Sequence, residues 1–261
     1  MAHAAGIRAE SAAPGAGMLS AATEVMPDGL GNDVSAVALA AALRNRECPS
    51  DHAFDQLLPE DVRSSSREHW SPLEVAVVAA SWLDTLGIRT VADIGSGAGK
   101  FCVAAALAGN ARYVGIEHRE RLVSAARRLA ALFKVSDRVE FVAATFDQAA
   151  PPIADAYYFF NPFEENLYFD GFIDEDVELS GARFQRDVTG AEVLMQRAPA
   201  GTYVLTYNGF GGDMPAAYQL IQIACDLPCV LQLWRKSADA TDAENERGGR
   251  RARLSWWRIE S

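Results

Sequence analysis

Val91-Ala92-Asp93-Ile94-Gly95-Ser96-Gly97-Ala98-Gly99-Lys100-Phe101 joins a short apolar run to glycines at alternate positions and then to a second apolar run. Thr90 to Ile94, stopped by Gly95, predicts a buried strand. Phe101 to Leu107, dense in alanine and ended by Gly109-Asn110, predicts a helix. The turn between them must bend tightly and leave room for a ligand, which residues without a Cβ permit. The helix that follows aims its free N–H groups back at the turn. A cofactor belongs there, and phosphate is only one candidate.

Outward from this stretch the chain alternates strand and helix. Upstream, Ser71-Pro72-Leu73-Glu74 has the residues of an N-cap, a first helical turn and a capping box. Val75, Val78, Ala79, Trp82 and Leu86 then share one helical face. Downstream, Arg112 to Glu117 predicts a second strand that ends on an acid. Arg119 to Lys134 predicts an amphipathic helix, with Leu122, Val123, Ala126, Leu129, Ala130 and Phe133 inward and Arg119, Arg121, Arg127 and Arg128 on a solvated face. Val139 to Val142, Ala154 to Phe160 and Gly201 to Tyr207 predict further strands, with a helix over Leu179 to Ala198. A helix is expected from Met214 to Cys225. Two final strands, Cys229 to Trp234 and Arg253 to Ile259, are expected as a closing antiparallel hairpin. Helical pieces are expected at Val34 to Glu47 and His52 to Leu58, after an Ala/Gly/Ser-rich tail that cannot bury much surface.

The 261 residues suffice for one α/β domain with an extension, and 49% hydrophobic with 23% charged content is that of a globular protein. No apolar run is long enough to span a bilayer, and the N-terminus lacks the pattern of a signal peptide. Cys48, Cys102, Cys225 and Cys229 are scattered without a completing histidine or second pair, so free thiols in a reducing cytoplasm are expected and a metal site is not. A formal net charge of −11 argues against general nucleic-acid binding, which draws its affinity from Lys and Arg. The same charge leaves room for a local basic patch at Arg247 to Arg253.

Asp93 two residues before Gly95-Ser96-Gly97-Ala98-Gly99 resembles motif I of the class I S-adenosylmethionine (SAM) methyltransferases. The dinucleotide fingerprint places its third glycine one residue later, and a nicotinamide dinucleotide or a purely structural turn stay as alternatives. The resemblance covers roughly Trp70 to the C-terminus. It implies a Rossmann-like, doubly wound, mostly parallel seven-strand sheet with an antiparallel C-terminal hairpin and an N-terminal helical extension. The expected organisation is a mobile tail over 1–33, the extension over 34–69 and the methyltransferase domain over 70–261. Val114-Gly115-Ile116-Glu117 adds a weak likeness to the histone-lysine methyltransferases that lack a SET domain.

By the same resemblance Gly95, Ser96, Gly97 and Gly99 pack on the methionyl part and ribose of SAM, and Asp93 lies near its amino group. Glu117 accepts the ribose hydroxyls, and His118 lies by the adenine edge. Where the family often has an adenine-binding acid, this chain has Thr145, followed by Phe146. His69 and Trp70 are candidates for touching cofactor or acceptor, against a plain staple role for Trp70. Asn161-Pro162-Phe163, after the fourth strand, resembles motif IV of the amino-methylating branch. There the Asn oxygen and the Pro carbonyl accept from an amine, and the ring packs on a planar acceptor. Tyr207 and Asn208 are secondary acceptor candidates. Glu164 is the carboxylate nearest the motif, and the acidic, aromatic stretch Glu164 to Glu178 is a candidate lure for a cationic acceptor. The expected activity is SAM-dependent methylation of nitrogen in a small molecule or a protein side chain, with no membrane partner. The alternative is a SAM-binding sensor or assembly protein without catalysis.

Overall fold

Strand β1 (Thr90–Ile94) is the centre of the molecule, buried along all but its first residue. The computed structural model describes residues 28–146, 151–167, 173 and 179–238. β1 pairs in parallel with β2 (Arg112–Glu117) on one side and β4 (Ala156–Phe160) on the other. β3 (Val139–Ala143) extends the sheet beyond β2, and β5 (Tyr203–Tyr207) beyond β4, both in parallel. An antiparallel pair, β7 (Leu231–Lys236) and β6 (Tyr218–Ala224), completes the order β3-β2-β1-β4-β5-β7-β6. The expected α/β class, parallel core and closing hairpin are all present, and the seven-strand order sets aside the six-strand dinucleotide arrangement.

One strand of the hairpin, β7, lies where Cys229 to Trp234 was expected, and its partner is built from other residues. Tyr218 to Ala224 lies in a strand, where a helix was expected over Met214 to Cys225. Apolar residues at both Leu220 and Ile221 obscure the two-residue period, because the register shifts between Leu220 and Gln222. Arg253 to Ile259 lies outside the described residues, as do the first 27 residues of the expected tail.

On one face of the sheet pack α1 (Asp28–Arg44), α5 (Leu73–Thr85), α6 (Lys100–Ala108) and α7 (Glu120–Leu132), around a core that includes Leu43, Leu83, Phe101, Tyr113 and Leu122. On the other face α8 (Gly181–Arg197) covers Ile94, Tyr157, Phe159 and Val204 through Phe184, Val188 and Met195. α1 begins before Val34 and ends before Glu47. Three short helices, α2 (Asp51–Asp55), α3 (Glu60–Arg63) and α4 (Ser66–His69), link α1 to α5.

The start of α5 differs from the local reading. Ser71 does not cap it. Its hydroxyl shares a buried 2.7 Å hydrogen bond with the Tyr158 hydroxyl on β4. The capping carboxylate comes from α2, where Asp51 Oδ1 accepts the Leu73 N–H at 2.9 Å.

Candidate active site at the carboxyl ends of the strands

The turn after β1 holds Gly95, Gly97 and Gly99 at φ of +78°, +52° and +77°, so its alternate glycines meet a backbone requirement. The N–H groups of Gly95 and Ser96 donate to the Ile116 carbonyl on β2, at 2.9 and 3.0 Å, and fasten the turn to its neighbour strand. Two bulky groups lie against it. A Cβ on Gly95 would stand 2.6 Å from the Pro162 Cβ, and one on Gly97 would stand 2.2 Å from the Trp70 ring. Trp70 is buried, with its indole N–H on the Val62 carbonyl at 3.2 Å. It is therefore part of the turn's packing as well as of the N-terminal segment.

Glu117 ends β2 in a buried position. Its carboxylate accepts the Gly97 N–H at 3.1 Å and the Arg119 N–H at 2.8 Å. Burial raises its pKa, opposed by those two donors and the Arg119 charge. Asp93 is also buried, and Cys102 donates its thiol to it at 3.1 Å. Burial carries the Asp93 pKa up to about 7, with the thiol bond opposing and the Glu117 charge adding. Two carboxylates at the carboxyl ends of adjacent strands are thus both disfavoured as anions, an arrangement that a bound cation or hydroxyl donor relieves.

Lys100, the residue after the turn, was missed as a functional group. It is 2% exposed and lies 2.7 Å from Asp51 and 2.8 Å from Asp55. This buried cluster, with Ser66 bonded to Asp55 at 2.7 Å, ties α2 and α4 to the first turn of α6. Arg119 was assigned to a solvated face and is instead buried. Its guanidinium forks onto Glu165 at 3.0 and 2.6 Å. The local signal at Arg119 was its place two residues after the strand-ending acid, and helical periodicity outweighed it.

A cleft runs over the strand ends, lined by Gly95, Glu117, His118, Phe146, Pro162 and Glu165 among others. His118 Nδ1 lies 3.4 Å from Glu117 Oε1. Phe146 enters the cleft because Gly190 on α8 leaves it space, where a Cβ would stand 2.8 Å from the ring. Ala144 lines the cleft, whereas the half-buried Thr145 is not among the described lining residues.

Asn161 follows β4 with φ of +38°, and its N–H donates to the Gly209 carbonyl at 3.0 Å. Its side-chain amide N–H donates to Glu164, and among the described residues its Oδ1 has no hydrogen-bond partner. Burial raises the Glu164 pKa. Phe163 is buried, its ring 5.7 Å from that of Phe146. Tyr207 is core, with its hydroxyl accepting the Cys229 N–H at 3.2 Å, and Asn208 has φ of +56°. Most of the acidic stretch from Tyr168 to Glu178 lies outside the described residues. All four cysteines are free thiols.

Residues 89–161 match the family model described as a methyltransferase domain, a span that takes in the glycine turn, Glu117 and Asn161. Similar solved structures include an RNA methyltransferase from Salinibacter ruber in complex with S-adenosyl-L-homocysteine. It is 22% identical over 63% of this chain and 94% of that one, with a TM-score of 0.46. Another is the mitomycin 7-O-methyltransferase MmcR, 18% identical over 78% and 67%, with a TM-score of 0.49. No curated protein matches the chain. Residues 89–161 thus carry a methyltransferase domain, set within the seven-strand Rossmann-like order. The cofactor that such a domain implies is SAM. The turn suits that cofactor. It offers two buried carboxylates and the buried Ser96 hydroxyl, which has no hydrogen-bond partner among the described residues. Among the described residues no helix is long and apolar enough to cross a membrane.

Proposed function

We propose that the chain methylates nitrogen, in a small molecule or a protein side chain, in the reducing cytoplasm. The observation that carries this reading is the state of Asn161. Glu164 takes its amide N–H, which leaves Oδ1 as the acceptor end of the side chain. The next residue, Pro162, packs against Gly95 of the glycine turn, which supports the reading. An –NH₂ group has hydrogens to give to such an acceptor while its lone pair points elsewhere.

Glu117 holds the ribose hydroxyls, Asp93 the amino group, and Gly95, Ser96, Gly97 and Gly99 the methionyl part and ribose. His118 and Phe146 flank the adenine, and Thr145 offers its hydroxyl nearby. When bound, SAM supplies a methyl group already activated by its sulfonium. The protein therefore needs to align the acceptor, exclude water and keep the nitrogen unprotonated. Glu164 serves this alignment by orienting Asn161.

The test is calorimetric titration with SAM, S-adenosylhomocysteine and NADH, followed by transfer of radiolabelled methyl to amines and proteins. Binding of the first two ligands and label on nitrogen are expected. Asn161→Ala should keep SAM binding and lose turnover. Label found on oxygen, or full turnover in that variant, would sink the nitrogen reading.

A further inference from the structure

Arg119 touches both sides of the cleft. Its backbone N–H donates to Glu117 Oε1 at 2.8 Å, on the β2 side. Its guanidinium, with the side chain only 3% exposed, forks onto Glu165. Glu165 lies in the 3-10 turn Glu164–Leu167, which follows Asn161-Pro162-Phe163 on the β4 side. Glu165 Oε1 also accepts the Ile173 N–H at 2.8 Å. One arginine thus joins the carboxylate that ends β2 to the turn that follows β4. An exposed ion pair of this kind would hold little. A sheltered, bidentate one is directional and resists parting.

The space between the two sides is small. The cleft encloses about 40 Å³ of free volume, whereas pockets for small molecules are on the order of 300 Å³ or more. Cofactor entry therefore needs the two sides to separate. We propose that Arg119 and Glu165 gate entry to the cofactor site. Their ion pair holds the acceptor-side turn against the cofactor-side acid and parts to let the cofactor enter. This rests on the cofactor reading of Glu117.

The experiment uses the full chain and tritiated S-adenosylhomocysteine in a rapid-mixing filter assay. The variants are Glu165→Gln and the double variant Arg119→Gln/Glu165→Gln, which leaves no buried guanidinium unpaired and so protects folding. Because the closed cleft is too small for the ligand, only the parted form binds it, so the association rate should rise by about tenfold and Kd fall with it, while the dissociation rate stays within about threefold. Glu165→Asp, which keeps the charge, should restore much of the slow association. Amide hydrogen exchange at Ile173 in the ligand-free protein should speed up in both Gln variants. A folded double variant with wild-type rates would overturn the proposal, as would equal rises in both rates that leave Kd unchanged. A wild-type chain that binds no S-adenosylhomocysteine would overturn the cofactor reading and this proposal together. Unchanged exchange at Ile173 would overturn the pair alone.

Discussion

Asp93 and Asp155 lie at opposite ends of the same two neighbouring strands, and their surroundings are reversed. Asp155, just before β4, accepts the Arg89 N–H at 3.0 Å and the Thr90 N–H and hydroxyl at 2.9 and 3.0 Å. Burial works to raise its pKa, but these donors outweigh it and hold the carboxyl below its usual range. Asp93, at the other end of β1, has a thiol as its donor and is pushed up to about 7 by burial. One end of the sheet holds its carboxyl below the usual range, and at the other burial outweighs the donors of both Asp93 and Glu117. A group that the fold alone would not stabilise is where a ligand is expected to complete the structure.

Four measurements break or sharpen this contrast. The largest effect is expected at Asp55→Ala, which removes one of the two carboxylates on buried Lys100. Breaking a buried pair of this kind should cost about 3 kcal/mol in urea unfolding, and a loss under 1 kcal/mol would mean that Asp51 alone suffices. Next is Glu117→Ala, which should weaken SAM binding by about 1.5–3 kcal/mol, the range for hydrogen bonds to a charged group. Calorimetry showing unchanged affinity would remove Glu117 from the cofactor site.

The third concerns pH. The folded state keeps the Asp93 proton up to about pH 7, while the unfolded chain releases it near 4. Asp93 thus favours the folded state most at low pH. That contribution falls as pH rises from about 4 to 7, by at most about 1.4 kcal/mol per pH unit. Asp155 has the opposite sign, stabilising above the usual carboxylate pKa and losing its contribution as pH falls through its own lower value. Asp93→Asn should flatten the stability profile between pH 4 and 7, and an unaltered slope would contradict the burial argument. SAM binding that draws Asp93 into its ionised form should also release a proton near pH 6, detectable as buffer-dependent binding enthalpy. The smallest effect is expected at Asp155→Ala, roughly 1 kcal/mol of stability with SAM affinity unchanged. A change in affinity there would erase the distinction between the two ends.

What could be read from the sequence followed local rules. Three alternate glycines meet three positive φ values, and a strand-ending acid at Glu117 lies beside them. These signals need only neighbours in the chain. What escaped depended on distant partners. Ser71 has every local credential of a cap, yet Tyr158 takes its hydroxyl and Asp51 supplies the cap instead. Lys100 and Arg119 look like surface cations until the carboxylates that bury them arrive from α2 and from the turn after β4. At β6, adjacent apolar residues around a register shift hid the strand period. Long-range pairing overrode local propensity in each case.

The indole of Trp70, pressed on Gly97, gives the protein its own optical reporter. Tryptophan emission shifts with the polarity and charge around the ring, and this ring shares a wall with Asp93 and Ser96. A cationic donor arriving at the turn would change that field without a label being attached. Replacing Trp82 and Trp234, both half-buried against the core, by Phe would quieten two competing signals. With Trp256 and Trp257 also replaced by Phe, the remaining spectrum would be that of Trp70 and would follow the site's occupancy in real time.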